Sequence, residues 1–438
     1  MNFTLNTNFK FLLFGLFIGL PILVIAQSNE PLSYANEKDI DLDLDYLQIK
    51  VDSIMTKAIR ENAFPGAQLL VAKNNKIIFH ETYGFHTYDS IQKVGPNDIY
   101  DLASVTKIAG PLLALMKLYE EDKLDLDKPF SRYWRSWRNR KDKKDLTLRE
   151  LLAHQAGMEP YIVFLKEVMK KGEFKKRFVR RKAAWRYSRK AFDSIYVKNG
   201  FPRKVYRKIK RSKVRLKKEY LYSGLASLIY PQLIEDISGE PYTIYLNRHF
   251  YKPLGCSTLT YNPGERNNQN IVPTEFDSIF RKSLVRAWVH DENAALLGGV
   301  SGNAGLFGSA KDLAILMQML VQKGTYAGIQ YFKKETISEF IRVQYPEQNN
   351  RRGLGFDKPL LGNDTLKLSQ AYPAPAVSTS SFGHSGFTGT FVWADPENQM
   401  VFIFLSNRVY PTRNNRNLYN LNIRPSLQQL FYSAPKSK

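Results

Sequence analysis

Strand-like sequence in this chain is concentrated toward its two ends. Ala67 to Ala72 and Ile77 to Tyr83 are β-rich runs separated by Lys73-Asn74-Asn75-Lys76, which predicts a hairpin. Near the other terminus, Phe387 to Ala394 and Met400 to Ser406 alternate like strands around the turn Asp395-Pro396-Glu397-Asn398. Between them the apolar spacing is helical, over Leu112 to Glu120, Leu146 to His154, Leu225 to Ile237 and Ala310 to Gln322. A leading helix is predicted over Asp39 to Asn62 and a closing one over Leu418 to Tyr432. This order predicts an α/β (α+β) fold. An antiparallel sheet built from N- and C-terminal strands is flanked by helices, and an all-helical lobe is inserted between the two ends. For 438 residues the expectation is one unit of two packed lobes: a sheet lobe of about 40–103 and 376–438, and a helical lobe of about 104–375.

Residues 1–26 read as a signal peptide, leaving 27–438 as the folded domain. Phe11 to Ile25 is apolar apart from Gly15, Gly19 and Pro21, and it is shorter than the ~20 residues of a spanning helix. The alternative is an uncleaved N-terminal anchor. Export places the protein in the periplasm or outside the cell. Cys256 is the only cysteine, so no internal disulfide can form, and no Cys/His spacing suggests zinc. Its apolar surroundings predict a buried small residue.

The positive charge is localised. Residues 161–218 hold 23 lysines and arginines against Glu167, Glu173 and Asp193, a net +20 of the chain's +23. Trp185, Tyr187, Tyr196 and Tyr206 interleave with them. Export argues against a nucleic-acid partner. Two readings stay open: docking on an anionic lipid or cell-wall polymer, and a solvated helical insertion over the site mouth.

Ser104 and Lys107 stand three apart, which places an amine beside a hydroxyl on one helical face. A serine needs a base to become a nucleophile, and a desolvated lysine can serve. Alone, the pair reads more readily as an N-capping serine and a solvated lysine. Its context is more specific. The segment from Tyr100 to Lys107, the helix after it, and Leu146-Thr147-Leu148-Arg149-Glu150-Leu151-Leu152-Ala153-His154-Gln155-Ala156-Gly157 together resemble the serine β-lactamase/penicillin-binding protein family, class C type. Tyr222-Ser223-Gly224 and His384-Ser385-Gly386 fall where that family has its second and third motifs. The stretches Val289 to Phe307 and Asn407 to Arg413 resemble its carboxypeptidase/esterase branch.

The resemblance implies roles. Ser104 attacks an acyl carbon, Lys107 helps deprotonate it, and Tyr222 shuttles the proton to the leaving group. The backbone N–H groups of Ser104 and Phe387 form the oxyanion hole. His384, Ser385, Gly386 and Gly224 contact substrate, with His384 orienting a substrate carboxylate or tuning Tyr222. Asp291 and Asn303 are candidates for the site wall or for loop bracing. No cofactor or metal is implied. Two departures stand out: Gly224 replaces the family's Asn, and His384 replaces its Lys. Both remove groups that hold a β-lactam or a peptide. The expectation is an exported serine hydrolase acting on a cell-wall D-Ala peptide or small ester. A true β-lactamase and a non-catalytic peptidoglycan- or partner-binding member are the alternatives.

Overall fold

The computed structural model describes residues 1, 30–36, 39–265 and 270–437; the signal-peptide reading of residues 2–26 lies outside the described residues. The main sheet has six strands: β1 (Ser33–Tyr34), β2 (Gly66–Lys73), β3 (Lys76–Gly84), β4 (Phe382–Ser385), β5 (Phe391–Asp395) and β6 (Met400–Ser406). Their spatial order is β1-β3-β2-β6-β5-β4. β1 runs parallel to β3 and the other pairs are antiparallel. The two ends of the chain therefore meet at the β2–β6 seam, where Leu70 stands opposite Ile403 and Leu69 opposite Phe404.

The seam is buried on both faces, so its side chains alternate between two cores rather than between core and water. Leu69, Val71, Phe402 and Phe404 face one cluster with α1 (Leu44–Arg60) and α4 (Ile423–Ser433). Leu70, Ala72, Val401, Ile403 and Leu405 face the other, with α2 (Pro111–Glu120) and α3 (Ala310–Val321). α3 is apolar nearly all round, as a helix sandwiched between sheet and lobe must be. Its N-cap Ser309 accepts a hydrogen bond from the Asp312 amide.

The lobe between the two ends is mixed, which corrects the expectation of an all-helical lobe. Thr260–Tyr261, Leu306–Gly308 and Tyr100–Asp101, which leads into the Ser104 segment, form a three-stranded sheet. The basic stretch is not simply helical either. Val179–Arg180, Ile195–Val197 and Arg189–Phe192 form another small sheet, and one helix, Phe201–Arg211, follows. Phe201, Val205 and Ile209 bury one stripe of that helix, leaving its cations outward. Dense Lys and Arg hid the short apolar alternation that makes these strands. Cys256 is buried, and burial pushes its thiol well up. Among the described residues, no helix is long and apolar enough to cross a membrane.

Phe404 is fully buried on β6 and meets Phe64 edge-on at 5.6 Å. Phe404→Ala is expected to lower the unfolding free energy by about 3–5 kcal/mol, read from the denaturation midpoint at constant m-value.

Candidate active site

The segment that carries Ser104 begins in a strained turn. Ala103 has φ 45°, a left-handed conformation that costs an alanine about 1–2 kcal/mol. Asp101 holds it there. One carboxylate oxygen accepts from the Ala103 amide at 2.9 Å, and the other accepts from the His290 amide at 2.6 Å. Burial pushes the Asp101 carboxyl up, opposed by these two hydrogen bonds. A short 3₁₀ turn, Ala103–Val105, then leads into the helix Thr106–Ala109. That path brings the buried Lys107 Nζ to 2.9 Å from Ser104 Oγ. Lys107 Nζ also donates to the Asn303 carbonyl at 3.0 Å, which fixes its direction.

Tyr222 completes the cluster. Its ring centroid lies 5.5 Å from Lys107 Nζ, 4.4 Å from the His154 ring and 6.0 Å from the His384 ring. Burial alone would raise its pKa. The Lys107 charge, hydrogen bonding by Ser104 and the Arg352 charge outweigh burial and bring it below the ordinary phenol value. His154 is neutral, held well below its ordinary pKa by burial and by the nearby charges of Arg352 and Lys107. Its Nδ1 accepts from the Ser223 amide at 3.3 Å, which locks the Tyr222 backbone against the helix Leu148–Leu152.

The third motif sits elsewhere on its strand than expected. His384 and Ser385 end β4; they do not open a strand running from Phe387 to Ala394. Gly386 to Gly389 is the turn, and β5 starts only at Phe391. The reason is close packing. A Cβ on Gly386 would lie 2.5 Å from the Leu102 carbonyl and 2.0 Å from Thr390 Oγ1. Thr388 Oγ1 donates to the Asp101 carbonyl at 2.7 Å and Thr390 Oγ1 to the Leu102 carbonyl at 3.1 Å. This turn is thus bonded directly to the backbone that precedes Ser104, and Phe387 projects half-exposed at the cleft.

His384 is buried, and burial together with the Arg352 and Lys107 charges lowers its pKa to about 3. Its Nδ1 lies 2.7 Å from the Ser385 carbonyl, which assigns the proton to Nδ1. It offers no positive charge to a substrate carboxylate, and its ring lies against Tyr222.

The cleft has a volume of about 410 Å³. Ser104, Lys107, Tyr222, Gly224, Asp291, Asn303 and Phe387 all line it. Asp291 and Asn303 also brace each other: Asn303 Nδ2 donates to Asp291 Oδ1 at 3.2 Å, and that oxygen caps the Ala294 amide at 2.8 Å. A Cβ on Gly224 would meet nothing within 4 Å, so this position leaves open space where the family's Asn would stand. Sequence reasoning did not single out Tyr161, Glu292, Arg413 or His290, which also line the cleft, or Arg352 and His154 behind Tyr222. His154 lay inside a quoted motif and could have been found; Arg352 carried no signal of its own.

The beta-lactamase family model matches residues 51–423. A protein of Escherichia coli O157:H7 described as "Putative D-alanyl-D-alanine carboxypeptidase" is 29% identical over 373 residues, covering 79% of each chain. An N-acetylmuramyl-L-alanine amidase of Bacillus subtilis (strain 168) is 27% identical over 385 residues, covering 82% of this chain and 80% of its own. Among solved structures, EstCE1, a hydrolase with promiscuous acyltransferase activity, superposes with a TM-score of 0.63 at 18% identity, covering 87% of this chain and 98% of its own.

A buried histidine kept neutral makes acid destabilising. The unfolded chain takes up a proton below pH about 6.5, whereas folded His384 does so only near pH 3. Its stability contribution is therefore complete above the unfolded pKa and lost as pH falls toward the folded one. Between pH 6 and 4, wild type is expected to lose about 1.4 kcal/mol per pH unit more than His384→Gln, read from denaturant titrations at each pH.

Proposed function

The chain belongs to the beta-lactamase family, a family of serine hydrolases, and on that premise we propose that it is an exported acyl hydrolase acting on a cell-wall D-Ala peptide or a small ester. The observation that carries the reading is Ser104 Oγ at 2.9 Å from Lys107 Nζ, beside a Tyr222 whose hydroxyl is more acidic than usual. Ser104 Oγ attacks the acyl carbon while its proton passes to the Lys107/Tyr222 pair. The backbone N–H groups of Ser104 and Phe387 hold the oxyanion. The bond to the leaving group breaks as Tyr222 returns the proton to it. Water then attacks the Ser104 ester, giving up its proton to the same pair, and the acid product leaves with Ser104 restored.

The substrate class is supported by the carboxypeptidase and amidase descriptions of the relatives. A β-lactam is disfavoured because Gly224 has no amide to offer and His384 no charge. Export rests on the apolar run Phe11 to Ile25.

The basic segment extends the reading, as a docking surface for anionic lipid headgroups. Glu167 already pairs with Lys204 and Lys208, and Lys218 with Glu150. Arg203, Arg207 and Arg211 stay exposed on the helix. Trp185 is 82% exposed with the Arg186 guanidinium 4.9 Å from its ring, an amphipathic pair suited to an interface.

Two experiments test this. In a panel of a chromogenic cephalosporin, p-nitrophenyl esters and D-Ala-D-Ala muropeptides, ester or muropeptide turnover should exceed cephalosporin turnover by about 10²-fold or more. Ser104→Ala should lose about 10³-fold or more of it. Cephalosporin as the best substrate would overturn the substrate assignment, and labelling of Ser104→Ala by a fluorophosphonate probe equal to that of wild type would overturn the nucleophile. Separately, changing Arg177, Arg180, Arg181, Lys182 and Arg186 to Glu should abolish salt-sensitive binding to phosphatidylglycerol vesicles; unchanged binding removes the docking reading.

A further inference from the structure

The neutrality of His384 leaves an electrostatic question beside Tyr222. Passing a proton through a buried phenol requires positive charge to stabilise the anion. Five groups face the Tyr222 side chain: Ser104, Lys107, His154, His384 and Arg352. Both histidines are neutral at ordinary pH. Lys107 is a partner in the proton transfer, so its charge is not fixed through the reaction. Arg352 remains, and a guanidinium does not give up its proton.

Arg352 is built into place. It is 1% exposed, and its Cζ lies 5.7 Å from the Tyr222 ring centroid. Its amide donates to the buried Asn350 side chain at 2.9 Å, and its Nη2 donates to the Gly355 carbonyl at 3.1 Å. Nη1 pairs with Asp357 at 3.1 Å. Asp357 in turn exchanges backbone hydrogen bonds with Gly383, the residue before His384, at 2.8 and 3.0 Å. The guanidinium is thereby registered to the strand that carries the third motif. Asp357 does not cancel the charge, because Arg351 shares the same carboxylate at 2.9 Å, leaving one carboxylate between two guanidiniums. His154, His384, Tyr220 and Tyr372 are further titratable groups near Arg352. Arg352 Nε and His384 Nε2 are both buried without a hydrogen bond among the described residues. Two unmatched polar atoms around one phenol describe a site whose hydrogen bonding is not complete in its resting state.

We propose that Arg352 is a positioning residue of this site, supplying from behind the cleft wall the fixed positive charge that a lysine at position 384 would otherwise supply to Tyr222. It does not line the cleft, so it acts through Tyr222 and not on the substrate. The proposal rests on the reading of Tyr222 as part of the base pair.

The test is the pH dependence of Ser104 labelling by a fluorophosphonate probe, measured as a second-order rate on the full chain from pH 6 to 11. Removing the charge in Arg352→Gln should move the rising limb up by about one pH unit, about tenfold in rate on that limb. Arg352→Lys should keep the limb within about 0.3 pH units of wild type. Asp357→Asn removes the shared counter-charge and should move the limb the opposite way, to lower pH. A role in packing alone would lower the rate equally at every pH. An unmoved limb in Arg352→Gln, or an upward shift in Asp357→Asn, overturns the proposal. Should Arg352→Gln not fold, by far-UV circular dichroism, the other two variants decide: a downward shift in Asp357→Asn with an unmoved Arg352→Lys supports it, and any other pair of results overturns it. The two readings fail separately. Wild type labelling no faster than Ser104→Ala removes the base-pair reading, whereas labelling at Ser104 with a limb indifferent to Arg352 and Asp357 removes only this one.

Discussion

The contact between the turn Gly386–Gly389 and the backbone of Asp101, Leu102 and Ala103 is the constraint on which the rest of the molecule turns. It joins residues far apart in sequence by two side-chain-to-carbonyl hydrogen bonds and a glycine with no room for a side chain. Only a sheet in which the C-terminal hairpin lies beside the N-terminal one can bring that turn there. The β2–β6 seam does so, and burial on both faces makes a register slip costly, since a one-residue shift would exchange the two cores' side chains. The sheet thus sets where Phe387 stands relative to Ser104. Fold stability and site geometry are the same fact seen at two scales.

The strain at Ala103 belongs to this arrangement. A left-handed alanine persists only where surrounding bonds over-determine it. Asp101 accepts two amide hydrogen bonds on its side chain and one from Thr388 on its carbonyl, so the turn is gripped from three directions. The carboxylate is buried to do this, and burial disfavours its charged form. The two amides offset that cost, and the His290 amide ties the Ala103 turn to the loop that carries Asp291 and Asn303.

Much of this was legible in the sequence because it is local or periodic. The 3.6-residue spacing gave α3, the paired alternation gave the β5–β6 hairpin, and the Ser-x-x-Lys spacing placed an amine beside a hydroxyl. What was not legible depends on long-range burial. Nothing in His384-Ser385-Gly386 indicates that the imidazole is sealed beside two cations and held neutral. Nothing around Arg352 announces a partner 130 positions earlier in the chain. The strands of the basic stretch were missed for a related reason: Val179, Ala191, Phe192, Ile195 and Val197 are too few, among too many cations, to show a period until the lobe buries them.

The charges at the cleft bear on which acyl group it accepts. Arg413 is committed to Glu275 and Glu292, and Asp291 to Asn303 and the Ala294 amide. Glu275 is held down to about 2, with burial opposed by His290 and Arg413. Lys107 points to Ser104 and the Asn303 carbonyl, and Arg352 is sealed behind Tyr222. A substrate carboxylate would then have to take Arg413 away from Glu292, leaving a half-buried carboxylate without its partner, a costly exchange. An uncharged acyl group meets no such demand. It would find Tyr161, the half-exposed ring of Phe387 and the open space at Gly224, all of which reward apolar contact and shape.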